Sequence, residues 1–267
     1  MVEPAASVPG KANELQTRII VGVILIVAAV LAEYFGGIFL WLLVVLMALG
    51  IMSEWARLTG RLGSRMLAMY ALSVPLAIMS PWAAGPSFLA LGLIIGAAMF
   101  VAVFDRSLKL AAGVFYAGLP ALAIIYIRDI DNGILIVFWT LALVWATDIG
   151  AYFSGRAIGG PKLAPQYSPN KTWAGLIGGV ALTAAVSYFL HLYWGLPFYL
   201  VLLSIPLAVL AQMGDLFESW LKRKAGAKDS GAIFPGHGGV MDRLDGLIPV
   251  APVVALIMIA ENLSALS

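Results

Sequence analysis

Hydrophobic positions along the chain fall into long runs broken by short polar or Gly/Pro-containing joints, without the alternation in twos that barrel strands show. A helix needs roughly 20 apolar residues to cross a bilayer core, so the pattern predicts nine membrane segments, at about 18–34, 36–53, 66–82, 86–104, 109–127, 133–153, 173–193, 197–214 and 247–265. Helices are expected because lipid forces every backbone polar group to find its partner inside its own segment. The reading is an all-α polytopic bundle of about nine transmembrane helices, with its last four or so segments expected to form a polar cavity open to the cytosol and the inner leaflet. Residues 1–17 are read as a cytoplasmic tail and 18–267 as one transmembrane domain; no cleavable leader stands apart from the apolar series.

Composition agrees with the pattern. The chain is 62% hydrophobic and only 11% charged, with a mean hydropathy of +0.97, values that place it in a membrane rather than in water. It has no cysteine, which excludes disulfides, thiolate metal sites and cysteine nucleophiles. With nine spans and the N-terminus inside, 15 of the 16 lysines and arginines fall on the inner side and only Arg128 outside. The positive-inside rule thus orients the chain with its basic loops toward the cytoplasm.

Charge is concentrated in Ser219–Asp245, "SWLKRKAGAKDSGAIFPGHGGVMDRLD", between two apolar runs. Asp215, Ser219 and Lys222 repeat at i, i+4 and i+7 on the helix that enters this loop, with Glu218 beside them. Asp242 and Asp245 stand three apart, on one face of a following helix, and can offer hard oxygens to a divalent cation. Lys222, Arg223 and Lys228 can neutralise phosphate, while Gly238 and Gly239 allow close approach and His237 adds a titratable group. Basic residues after a membrane helix commonly do no more than fix topology. Acids at a membrane edge need a further reason, because they are costly unless neutralised.

Two more stretches belong with this loop. Asp148 interrupts the apolar run "ALVWATDIGAYFSG" and is expected to face a polar cavity, a cation or a partner. "SPNKTW" has helix-start chemistry: Ser168, Asn170 or Thr172 can cap a helix whose N-terminus, with Lys171 beside it, would seat a phosphate.

The stretch Ser219–Asp245 resembles the signature of the phosphatidate cytidylyltransferases, through Ser219, Leu221, Lys222, Arg223, Lys228, Asp229, Gly231, Phe234, Pro235, His237, Gly238, Gly239, Val240, Asp242, Arg243, Leu244 and Asp245. The resemblance extends to Ser168–Trp173 with Gly175 and to Asp148, so it covers roughly residues 145–246. It implies transfer of CMP from CTP to phosphatidate, giving CDP-diacylglycerol and pyrophosphate, in a bacterial cytoplasmic (inner) membrane. It further implies Mg²⁺, with a monovalent ion such as K⁺ as a second cation, and a homodimer; no nucleic acid is expected. Asp215 and Asp242 are then the expected metal ligands, supported by Asp148 and Asp245. Lys171, Lys222, Arg223 and Lys228 would meet phosphates with Ser168, Asn170, Thr172, Ser219, Gly238 and Gly239, while Asp229, His237 and Arg243 complete the set of expected catalytic residues.

Two other readings share some of these features. A CTP-dependent polyprenol kinase would use the same metal and phosphate groups but transfer the γ-phosphoryl. A secondary transporter would also carry intramembrane acids, but in two related halves with paired broken segments, which this chain lacks. The first half is expected to hold little chemistry: Arg57, Arg61 and Arg65 as a topology-setting stripe on one helical face, Asp105 and Arg106 as a solvated pair, and Glu33 as an interfacial acid.

Overall fold

The computed structural model describes residues 11–234 and 238–265. All nine predicted apolar segments are helical. In order they are α1 (Lys11–Phe35), α2 (Gly37–Leu58), α3 (Arg65–Ile78), α4 (Phe88–Phe104), α5 (Leu108–Asp129), α6 (Gly133–Ile158), α7 (Trp173–Trp194), α8 (Phe198–Lys224) and, after the short α9 (Met241–Leu244), α10 (Leu247–Ala265). Two strands, β1 (Lys162–Ala164) and β2 (Ser168–Thr172), form an antiparallel hairpin between α6 and α7. Among the described residues, six helices (α2, α5, α6, α7, α8 and α10) are long and apolar enough to cross a membrane, and Ile20–Phe35, Leu62–Ile78 and Phe88–Phe104 are shorter apolar helical stretches. Large apolar side chains such as Phe88 (84% exposed) and Leu108 (81%) cover the outside of the bundle, the surface of a multi-pass membrane protein.

Several boundaries differ from expectation. α1 is already helical at Lys11, the first described residue and inside the stretch read as a tail, where "KANELQ" is made largely of good helix formers. α8 runs ten residues past the predicted end of its apolar segment, and that polar extension carries Asp215, Glu218, Ser219 and Lys222. α2 stops at Leu58: Gly60 takes φ +72°, and the Arg61 and Gly60 amides donate to Ala56 O (2.8 Å) and Arg57 O (3.1 Å), a glycine-terminated cap. Arg57, Arg61 and Arg65 consequently do not form one stripe. Arg61 instead pairs with Asp105 at 3.5 Å, and Ser64 also hydrogen-bonds Asp105, so Asp105 is partnered away from Arg106. Glu33 does not stand exposed at the surface of the bundle. It is buried and pairs with Arg128 at 3.1 Å.

Two apolar clusters hold the bundle: one among α2–α5, reaching Val240, Met241 and Ile248, and one among α5–α8 and α10. α6 and α7 approach most closely. A Cβ on Gly150 would lie 2.6 Å from Gly178 O, and one on Gly179 2.7 Å from Thr147 O. The buried pairs Thr147–Thr183 (2.8 Å) and Trp139–Ser187 (2.9 Å) tie the same seam. In lipid, close backbone contact and interhelical hydrogen bonds do the joining that the hydrophobic effect does in water.

Candidate active site

A cavity of about 490 Å³ runs between α1, α2, α5 and α6. Most of its wall is apolar, but one end is lined by Asp148, Asp215, Asp242, Arg243 and Asp245. α6 presents Asp148, α8 presents Asp215, and α9 with the residue after it presents the other three. Lys171 reaches in from β2: its Nζ pairs with Asp215 and donates to Gln212 Oε1 at 3.1 Å. Gln212 Nε2 in turn lies 3.4 Å from Asp148 Oδ1. Ser219 Oγ is 3.4 Å from Asp215 Oδ1. The chain therefore brings Asp148, Lys171 and the loop acids together from three separate stretches.

Beside this group lies a densely bonded one. Lys222 Nζ sits 2.6 Å from Asp242 Oδ1 and 3.3 Å from Glu218 Oε1. Asp242 Oδ2 accepts from Ser230 N (2.8 Å), Ser230 Oγ (2.9 Å) and Gly239 N (2.8 Å). Burial by itself would raise the Asp242 carboxyl, but the Lys222 ammonium and the Gly239 amide outweigh it and hold the group well below the usual carboxylate range. Asp245 goes the other way. Burial, reinforced by Asp215 and Asp148, pushes its carboxyl up, although the Gly246 amide at 2.7 Å opposes this.

The residue that organises the loop is one the sequence reading missed. Glu54, on the last turns of α2, is buried to 3% exposure. Its Oε1 accepts from Val240 N (2.8 Å), and its Oε2 accepts from Met241 N (2.9 Å) and lies 2.8 Å from Ser230 Oγ. A hydroxyl has one proton, so Ser230 serves Glu54 and Asp242 from a single donor while accepting from Asp242 N at 3.2 Å. Arg57, one turn on, donates to Asp229 O at 2.8 Å and to Ser230 O. The first half of the chain thus contributes to the site through α2. Its signal was a glutamate inside "LMALGIMSEWARL", one residue past the end of the predicted segment.

Gly239 owes its identity to this packing. A Cβ there would meet Glu54 Oε1 and Ser230 Oγ at 2.3 Å each. Gly238 has φ +81°, and a Cβ on it would lie 2.6 Å from Asp242 Oδ2. These close approaches are to the protein's own atoms. Of the "SPNKTW" residues only Thr172 caps α7, accepting from Gly175 N at 3.0 Å. Ser168 and Asn170 lie in β2 instead, so the expected helix start is a hairpin strand running into the helix. Arg223 Nε is 3.4 Å from Tyr167 O, near the hairpin. Arg223, Lys228, Asp229 and Arg243 are exposed. His237 and Pro235 lie outside the described residues.

The donor chemistry at the polar end suits a hard divalent cation. Asp148, Asp215, Glu218, Asp242 and Asp245 face or adjoin it against Lys171, Lys222 and Arg243. Both oxygens of Glu218 are buried without a hydrogen bond. Among the described residues, no three of these acids yet converge closely enough to hold a metal.

The model of the cytidylyltransferase family matches residues 16–260. Over 256 residues the chain is 40% identical to a phosphatidate cytidylyltransferase of Brucella suis, covering 91% of this chain and 93% of that one. It is 32% identical to a protein of the same name from Rickettsia bellii over 254 residues, 92% and 91% of the two chains. A further namesake, from Bacillus subtilis, is 39% identical over 159 residues, 58% of this chain and 59% of the relative.

Proposed function

Since the chain belongs to the cytidylyltransferase family, we propose that it is a phosphatidate cytidylyltransferase, transferring CMP from CTP to phosphatidate to give CDP-diacylglycerol and pyrophosphate. The observation that carries this reading is the cavity itself: carboxylates and cations at one end, an apolar wall along the rest. Such a space suits a lipid whose head is a phosphate. In the reaction a phosphatidate oxygen forms a bond to the α-phosphorus of CTP, the bond from that phosphorus to the bridging oxygen breaks, and pyrophosphate leaves.

Asp215 and Asp242 are the proposed ligands of Mg²⁺, with Asp148 and Asp245 supporting them or a second, monovalent cation such as K⁺. The metal would neutralise phosphate charge and stabilise the leaving pyrophosphate. Asp242 has its Oδ2 filled by Ser230 and Gly239, so its ligating atom would be Oδ1, now held by Lys222. Lys171 and Arg243 are placed to meet phosphate at the cavity end, and the exposed Arg223 and Lys228 to steer CTP toward it. No covalent nucleophile is needed, because the lipid phosphate attacks once it is held in line. The reading also takes the basic end of the bundle as cytoplasmic, all nine apolar helices as spans and the working enzyme as a homodimer.

The test is pyrophosphate release from CTP by the purified chain in detergent, with and without phosphatidate and Mg²⁺. Release that requires both, with CDP-diacylglycerol formed in equal amount, is expected. Release of CDP together with a phosphorylated lipid alcohol would replace the reading by a kinase.

A further inference from the structure

The apolar part of the cavity extends well beyond what a nucleotide or a phosphate needs. It is lined from Leu40 to Ile51 on α2 and from Val137 to Asp148 on α6. Either stretch, eleven steps along its helix, rises about 16 Å at 1.5 Å per residue, close to half of a ~30 Å hydrocarbon core, the depth of one leaflet. Two different helices thus give one depth. The wall of the bore includes small residues, Ala28 and Ala29 of α1 and Ala117 and Ala121 of α5, where larger side chains would narrow it. At ~30 Å³ per group, the share of one water in the liquid, 490 Å³ takes about sixteen methylene-sized groups. That is room for one long acyl chain. The far end is lined by Glu33, which is ion-paired with Arg128. A chain long enough to reach past it would have to disturb a buried charge pair, which is costly.

We propose that this cavity is an acyl-chain site for the lipid substrate. One chain of phosphatidate lies between α1 and α5 with its terminus at the Glu33–Arg128 pair, and the phosphate is thereby held at Lys171 and Arg243. The second chain stays in the bilayer. The inference rests on the phosphatidate reading above and adds to it a binding site and the residues that set chain length. α1 then has a function besides anchoring, since it is one wall of the substrate site.

The test uses the full chain in detergent with CTP, Mg²⁺ and either dihexanoyl or dipalmitoyl phosphatidate. Ala28→Phe and the milder Ala28→Leu narrow the bore, while Val27→Phe, on the 48% exposed outer face of the same helix, is the control. Both Ala28 variants are expected to lower the dipalmitoyl-to-dihexanoyl ratio of kcat/KM by about tenfold or more for Phe, the effect of excluding roughly two methylenes, and by less for Leu. Val27→Phe leaves the ratio at the wild-type value. An unchanged ratio in the Ala28 variants overturns the proposal. A second measurement needs no variant: phosphatidate with a diazirine at the end of one chain should label the protein around Glu33 and Leu40, and unlabelled phosphatidate should chase it. Label elsewhere, or equal label from a phosphatidylcholine with the same chain, also overturns it. If the wild type makes no CDP-lipid from either substrate, it is the function reading that fails, and the labelling result still decides whether a chain occupies the cavity.

Discussion

Asp215 and Glu54 lie beside the same loop, and their surroundings meet them in opposite ways. Asp215 has Lys171 and a distant serine hydroxyl, keeps 27% of its side chain exposed, and faces a cavity. Glu54 is sealed, with two backbone amides and a hydroxyl on its two oxygens. Spare lone pairs beside open space can bind something; lone pairs already filled can only hold something still. Asp242 joins the two settings, since Oδ2 is bound into the Glu54 group while Oδ1 meets Lys222 beside the cavity. The difference separates residues expected to do chemistry from residues expected to place them.

Substitutions on the two sides should therefore separate activity from stability. The largest loss of turnover is expected for Asp215→Asn, by roughly 10²–10³, the several kcal/mol that charge neutralisation at a transferred phosphate is worth, with a thermal midpoint within a few degrees of wild type. Pyrophosphate release and a melting curve on one preparation would check both halves, and an active Asp215→Asn would break the comparison. Glu54→Ala should do the reverse in kind. It leaves the Val240 and Met241 amides without an acceptor and should destabilise the fold by about 2–4 kcal/mol, with activity falling because the loop is no longer held. A variant that melts like wild type would show the contacts of Glu54 to be dispensable.

The smallest effect has the opposite sign. Asp245 is raised by burial and by its acidic neighbours, so above the usual carboxylate pKa of about 4 its ionisation opposes folding. Asp245→Asn removes that cost. The expected gain is roughly 2–4 °C in the midpoint at neutral pH, what about 1 kcal/mol gives in a chain of this size, bought with reduced turnover. The gain should vanish as the pH falls below about 4, where the wild-type group is neutral in both states. An equal gain at low pH would assign the effect to packing and not to charge.

Much of the fold was legible because membrane helices announce themselves by length and apolarity, and every predicted run is a helix. What escaped depends on partners remote in the chain. Nothing local singles out Glu54, because its partner Ser230 lies 176 residues later. The arginine stripe failed for a local reason, since Gly60 caps α2 between Arg57 and Arg61. Ser168–Thr172 looked like a helix start because Ser, Asn and Thr are good caps, yet only Thr172 caps. The rest, Pro169 included, pairs as a strand in a two-stranded hairpin, where every strand is an edge and proline is tolerated. The acids of the cavity were visible from chemistry alone, because an acid next to a membrane needs a partner.

The link between Glu54 and Ser230 also fixes an order of events during synthesis. At ~5–20 residues per second, the ribosome adds the 176 residues separating them in roughly 10–35 s. Through that interval α2 waits with a carboxylate prepared for donors that do not yet exist. The nascent protein can set its helices in the bilayer, but it cannot close its site until the next-to-last segment has emerged. An incomplete chain therefore carries its own mark of incompleteness, a glutamate without its donors near the end of a finished helix.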